Sequence, residues 1–338
     1  MFVKDSRNIK EKKMIVEDVL YGSFEVEEIL AALILSDEVQ RLKDIHMAGP
    51  AYLINPVWNE TRYEHSVGVM LLIRRLGGSL EEQIAGLLHD VSHTAYSHVI
   101  DLALANEADD YHEKIKFQLI EKSALPLILN DYGFDYQQIL SHDEQWSLLE
   151  QDAPLVCCDR IDYTLREVQR YFSVPLEEIQ QFLNAINIIE KQIILNSSEW
   201  AIWFIDQYRK VVIDFFYDPL NICSYEWMAQ AIRIGLRNQE VTLDDLLMTD
   251  SAFLKKLKAS NSAEIQQLLN KMDHPPKYIV CSIEDNYTIY QKKKRRFVDP
   301  LVEVAGKVAP VSAISQIAKT KIDKILDDSE KGIFLKVD

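Results

Sequence analysis

The sequence predicts a mainly α-helical chain with a small α/β appendage at its C-terminal end, and three observations carry that prediction. Apolar residues recur at three- and four-residue spacing from about residue 24 to residue 275. Glycine is scarce, 10 in 338 residues, against roughly 7% in average usage, which leaves few tight turns and favours helices. After His274-Pro275-Pro276 the texture changes to short β-branched and aromatic runs. A helical domain over residues 1–275 and a small α/β region over 276–338 follow.

Taken in order, the helical segments are VEEILAALILSDEVQRLKDI, EHSVGVMLLIRRL, LEEQIAGLLHDV, APLVCCDRIDYTLREVQRYF, EWAIWFIDQYRKVVIDFFY and SYEWMAQAIRIGLR. One interruption is NIIEKQIILN, 187–196, where two β-branched runs flank Glu190 and Lys191 and predict a hairpin. Beyond residue 276, KYIVCSI, YTIYQ, RFVDPLVEV and GIFLKV read as short strands around one helix, SAISQIAKTKIDKIL. The basic run KKKRR, 292–296, reads as a solvated edge or loop, with a phosphate or subunit contact as the alternative.

A net charge of -16 argues against a nucleic-acid polymer as partner, because that binding runs on lysine and arginine neutralising phosphates. A small phosphorylated ligand remains possible where a metal and a few basic residues reverse the local field. Cys157, Cys158, Cys223 and Cys281 form no C-x-x-C pair and predict reduced thiols in a cytoplasmic protein. The stretch MFVKDSRNIKEKK lacks the apolar core of a signal peptide, and no run approaches the ~18 apolar residues of a membrane span.

The chemistry concentrates in LLHDVSHTAYSH, residues 87–98, which gathers His89, Asp90, His93 and His98. Burying several imidazoles beside a carboxylate is costly unless they are paired or bind something, and a metal ion is the usual partner of such a set. Adjacent helical residues point about 100° apart, so His89 and Asp90 share an ion only in a groove that other helices complete. His65 and Asp159 are the natural completers. Two imidazoles and two carboxylates suit Mn, Fe, Co, Ni or Zn better than an all-oxygen Mg or Ca cage. A rival reading takes HDVSH as an imitation of H-E-x-x-H, with His89 and His93 one helical turn apart. It puts a shorter aspartate where the glutamate base belongs and leaves Arg62 and Asp159 unused.

R-x-E-H-S at 62–66, A-G-L-L-H-D-x-x-H-x-x-x-S-H at 85–98, His112-Glu113 and D-R-x-D-Y at 159–163 occur in one order. Together they resemble the HD-domain metal-dependent phosphohydrolase superfamily, and within it the deoxynucleoside triphosphate triphosphohydrolase branch, over roughly residues 40–235. The resemblance implies an HD-domain helical fold and removal of phosphate from a deoxynucleotide or nucleoside-analogue phosphate. It implies metal ligands at His65, His89, Asp90 and Asp159, with a transition metal and a possible second Mg ion. Asp90 also belongs to the implied catalytic set with His93, His98 and His112, the three histidines lying near the substrate phosphates. Arg62 and Arg160 would contact phosphate, with an ordinary ion pair on a helix surface as their alternative. Tyr163 would lie near phosphate and sugar, and Glu167 stands where the family often has an aspartate for the sugar 3'-hydroxyl. A homo-oligomer is a further expectation.

The departures count as well. Met47 and Ala48 replace the Gln-Leu pair with which the branch rejects a 2'-hydroxyl. Cys223 stands where an arginine holds the triphosphate, and Trp227 where a histidine lies; Trp227 or Tyr225 either stacks on a base or belongs to the core. Size and departures resemble the phosphohydrolases of oxetanocin A biosynthesis, an antibiotic pathway, and point to stepwise removal of orthophosphate from tri-, di- and monophosphates. Release of intact triphosphate from a dNTP is the alternative activity, and a catalytically silent nucleotide sensor the alternative class.

Overall fold

The computed structural model describes residues 14–141 and 145–337; the stretch read above for a signal peptide lies wholly outside them. Strands β1 (Ile15–Asp18) and β2 (Gly22–Glu25) pair as an antiparallel hairpin. The periodic run that follows is divided into helices Glu28–Ile34 and Asp37–Arg41 and a 3-10 turn at Leu42–Asp44. Ser36 causes the division, because its hydroxyl accepts the Val39 N–H and caps a new helix.

Helix Arg62–Arg75 starts at a capping box: Thr61 Oγ1 accepts the Glu64 N–H at 3.2 Å, and the Glu64 carboxylate accepts the Thr61 N–H at 3.0 Å. It packs on helices Leu80–Leu88 and Cys158–Tyr171. Gly68 permits the second contact, since a Cβ there would stand 1.8 Å from Arg166 Nη2 and 2.2 Å from Asp162 Oδ2. The Leu80–Leu88 helix ends at His89, one turn earlier than its apolar periodicity suggests. Residues 90–98 then run through turns in which Tyr96 and Ser97 take left-handed conformations, φ 61° and 55°. His89 and His93 therefore share no helical face, and the H-E-x-x-H reading loses its geometry.

The expected hairpin is present as β3 (Ile186–Ile189) and β4 (Gln192–Leu195), with Glu190 and Lys191 at φ 49° and 64° in its turn. Beyond residue 275 the strands are β5 (Tyr278–Cys281), β6 (Ile289–Gln291), β7 (Leu301–Val304), β8 (Lys307–Pro310) and β9 (Ile333–Val337). They do not form a body apart. Strand β7 pairs in parallel with β4, which makes a sheet of order β3-β4-β7-β8, while the others form β5-β9-β6. Val298, Val302, Val311, Ala318, Ile322 and Ile325 join the main apolar core, and helix Gln316–Glu330 packs on helix Ser198–Arg209. Ile289 and Leu335 join a second core around helix Pro219–Arg237. The boundary expected at 275/276 thus marks a change of texture rather than of packing: β4 offers an unpaired edge, and β7 covers it. Among the described residues no helix is long and apolar enough to cross a membrane.

Candidate metal centre and active site

Three helix ends bring the ligand-type residues together. His65 lies in the first turn of Arg62–Arg75, His89 caps the end of Leu80–Leu88, and Asp159 lies in the first turn of Cys158–Tyr171. One ligand atom from each lies within 4.8 Å of the others. His65 Nε2 is 3.0 Å from Asp159 Oδ1, and His89 Nε2 is 3.6 Å from the same oxygen. Asp90 borders the same point, its Oδ1 3.5 Å from His89 Nε2 and its Oδ2 3.9 Å from His65 Nε2.

Second contacts orient each ligand. The His89 Nδ1–H donates to the Gly86 carbonyl at 2.7 Å, which turns Nε2 inward, where it is buried without a hydrogen-bond partner. A buried acceptor nitrogen between two carboxylates is the environment a cation satisfies, so the residues present fit a divalent metal. His65 Nδ1 donates to Asp162 Oδ1 at 2.9 Å, leaving Nε2 to face the centre. Asp162 is held in turn by Arg166, at 2.8 and 3.0 Å, and by the Tyr21 hydroxyl at 2.8 Å. Arg166 also reaches Asp18 at 2.8 Å, so the β1–β2 hairpin clamps the network from outside.

Charge follows geometry. Burial pushes the His65 imidazole down, but its hydrogen bonds to Asp159 and Asp162 outweigh that and carry it up to about 10. Burial raises the Asp90 carboxyl, yet the Arg62 guanidinium and His89 hold it well below the usual carboxylate range. The carboxylates here favour positive charge beside them.

Beside this centre stand three more imidazoles. The His93 ring stacks on His112 with centroids 3.8 Å apart, and His98 meets them edge-on at 4.9 and 5.2 Å. His93 Nε2 lies 3.3 Å from Asp90 Oδ1, His98 Nδ1 lies 3.1 Å from Asp101, and His112 Nδ1 is buried without a partner. Burial, Arg62 and His112 push His93 far below its ordinary value, so it is a neutral imidazole at pH 7.

Residues 62–167 match the HD domain. Over 313 residues the chain is 30% identical to the metal-dependent phosphohydrolase cns2 of Cordyceps militaris, covering 89% of this chain and 88% of that one. The chain belongs to the HD-domain metal-dependent phosphohydrolases. It is a hydrolase, and its His/Asp clusters suit a divalent metal. It is also 44% identical over 326 residues to the uncharacterized protein YdhJ of Bacillus subtilis, 96% of this chain and 99% of that one. A shorter match, 31% identical over 146 residues, is to the deoxynucleoside triphosphate triphosphohydrolase SAMHD1 of Danio rerio, 36% of this chain and 24% of that protein. The fold is shared with a solved phosphohydrolase of Bacteroides thetaiotaomicron at TM-score 0.70 and 16% identity, covering 96% of this chain and 99% of that one.

Within this HD-domain site the expected phosphate arginines are engaged by protein. Arg62 is buried, with Nη1 2.5 Å from Asp90 and Nε 2.8 Å from Ser97 Oγ, so it is no surface ion pair. The Arg160 guanidinium donates to the Gln151 and Leu155 carbonyls and, at 2.9 Å, to Glu150, pinning the loop before its own helix. Tyr163 lies 6.4 Å from the His65 ring, and Glu167 is buried with Oε2 unpartnered. Burial pushes Glu167 up to about 8, which leaves it protonated at neutral pH. Cys223 is a buried thiol pushed up to about 12 by burial, and Trp227 is core. Tyr225 is half-buried, packed against the second apolar core with its ring beside Gly49.

Asp162, Arg166 and Glu60 were not foreseen. Asp162 was visible in D-R-x-D-Y, but spacing alone did not say that it turns under His65. Glu60 is fully buried, with Arg166 Nε 3.9 Å away and neither carboxyl oxygen hydrogen-bonded; no sequence signal marks it.

Proposed function

We propose that the chain removes phosphate stepwise from the tri-, di- and monophosphates of a deoxynucleotide or nucleoside analogue. His65, His89, Asp90 and Asp159 would hold a transition metal drawn from Co, Mn, Fe, Ni or Zn, with Mg as a possible second ion. The observation that carries this reading is the buried, unpartnered His89 Nε2 facing His65, Asp90 and Asp159. A divalent ion bound there supplies Lewis acidity and a more acidic water.

The chain's own residues do the rest. Arg62 neutralises Asp90 and steadies it. His93, His98 and His112 line the adjacent space as hydrogen-bond donors to phosphoryl oxygens, and one of them can protonate the leaving oxygen. Tyr163 and Glu167 would meet the sugar. A nucleotide substrate is supported by the match to a deoxynucleoside triphosphate triphosphohydrolase. Stepwise cleavage is supported by Cys223, since a neutral thiol cannot replace a guanidinium along a triphosphate tail. With fewer contacts on the tail, the terminal phosphate meets the centre first.

Phosphorus NMR of an early time course with dATP and manganese tests the reading. Orthophosphate with a dADP intermediate is expected. Tripolyphosphate with deoxyadenosine, and no diphosphate, would refute stepwise removal.

A further inference from the structure

The basic run Lys292–Arg296 is neither a sheet edge nor a free loop. It crosses the molecule between β6 and β7 and is pinned at both ends. Lys294 pairs with Asp109, and its backbone N–H donates to the Tyr217 hydroxyl at 2.6 Å. Lys293 donates to the Asp328 carbonyl at 3.1 Å and lies 5.4 Å from the Tyr217 ring centroid. On the far side Val298 is fully buried in the main core, and the Asp299 N–H donates to the Pro154 carbonyl at 2.9 Å.

Between those fixings Arg296 is half-buried, its guanidinium 5.1 Å from the ring centroid of Phe216. Among the described residues no carboxylate or carbonyl accepts a hydrogen bond from it. A chain with a net charge of -16 has carboxylates in excess, so an arginine held in place without one points to an anion from outside. Its fixings place it between two walls of the active site: Lys294 is held by Asp109, three residues before His112, and Asp299 by Pro154, five residues before Asp159. Its charge is felt by Tyr163 and Glu167, on the helix that carries Asp159, and by Tyr208 and Tyr225.

We infer that Arg296 is a substrate-binding residue that takes an anionic oxygen of the phosphorylated substrate, an inference that rests on the phosphohydrolase reading above. The planar fork can grip a phosphate bidentately, and the Phe216 ring supports its flat face.

The test is calorimetric titration of inorganic phosphate into manganese-loaded protein, run beside dATP turnover. Arg296→Ala should weaken phosphate binding about tenfold or more, the size of one lost charge-assisted hydrogen bond. It should raise KM for dATP with little change in kcat and with metal content intact. Arg296→Lys, which keeps the charge but not the fork, should recover part of the loss. Lys292→Ala, on an exposed position of the same segment, should leave binding unchanged. Phosphate bound equally well by Arg296→Ala, an equal loss in Lys292→Ala, or no phosphate binding by the wild type overturns the inference. Arg296-dependent phosphate binding without turnover of any nucleotide sinks the nucleotide reading and leaves the anion contact standing.

Discussion

The His65 ring would be free to turn about its Cβ–Cγ bond without Asp162, which accepts its Nδ1 proton at 2.9 Å. Asp162→Asn keeps the shape and removes the charge, so metal affinity should fall roughly 10- to 100-fold while the fold persists. Chelator competition beside circular dichroism measures both, and unchanged affinity would show that Asp162 does not position the ligand. Glu167 makes a second prediction at this scale. Its carboxyl sits near 4.5 in the unfolded chain and at about 8 in the folded one, so between those values the folded state holds the extra proton. Stability from this group is therefore greatest at low pH, falls as pH rises through that window, and levels off above it. Glu167→Gln cannot ionise and should lack the loss, so its Tm should gain on the wild type steadily from pH 5 to pH 8; parallel profiles would count against the burial account. The meeting of His65, His89 and Asp159 was legible in the sequence because motif spacing singles them out. Asp18 was not, because its partner Arg166 lies 148 residues away and no local pattern connects them.

The β3–β4 hairpin was legible as an element for a local reason: two β-branched runs about a polar pair. Its turn chemistry was not, since Glu190 and Lys191 are poor residues for the left-handed conformations they adopt at φ 49° and 64°. The double substitution Glu190→Asn with Lys191→Gly removes that strain from an exposed turn. It should raise stability by about 1 kcal/mol, read as a higher urea midpoint at unchanged slope. A lower midpoint would mean that the present side chains make contacts worth more than the strain. The Leu80–Leu88 helix teaches the opposite lesson. Its apolar periodicity runs smoothly into His89-Asp90, yet the helix stops there, because Asp90 and His93 are engaged by Arg62 and by each other across the turns that follow. Tertiary contacts of buried charge overrode the local pattern, and the site depends on that override.

Across the whole molecule, the mainly helical class and the strand-rich C-terminal texture were both readable, whereas the docking of that texture was not. Parallel pairing of β7 with β4 joins segments that composition treats as unrelated. A chain ended at residue 275 would lose β7, Val298, Val302 and the helix packed on Ser198–Arg209. It should therefore fail to fold rather than yield a smaller enzyme. Circular dichroism and a thermal melt of residues 1–275 check this, and a cooperative melt at the wild-type temperature would restore the separate appendage. The long clasps have a further consequence, for how the enzyme is made. Asp18 meets Arg166 across 148 residues, and Asp109 meets Lys294 across 185. A ribosome delivers His65 and His89 early, but the ring of His65 is not braced until Arg166 emerges, and the segment bearing Arg296 is not clasped until later still. Until then the nascent chain carries the histidines of the candidate metal centre without the contacts that brace them. A site closed by such distant contacts is expected to be completed late in translation.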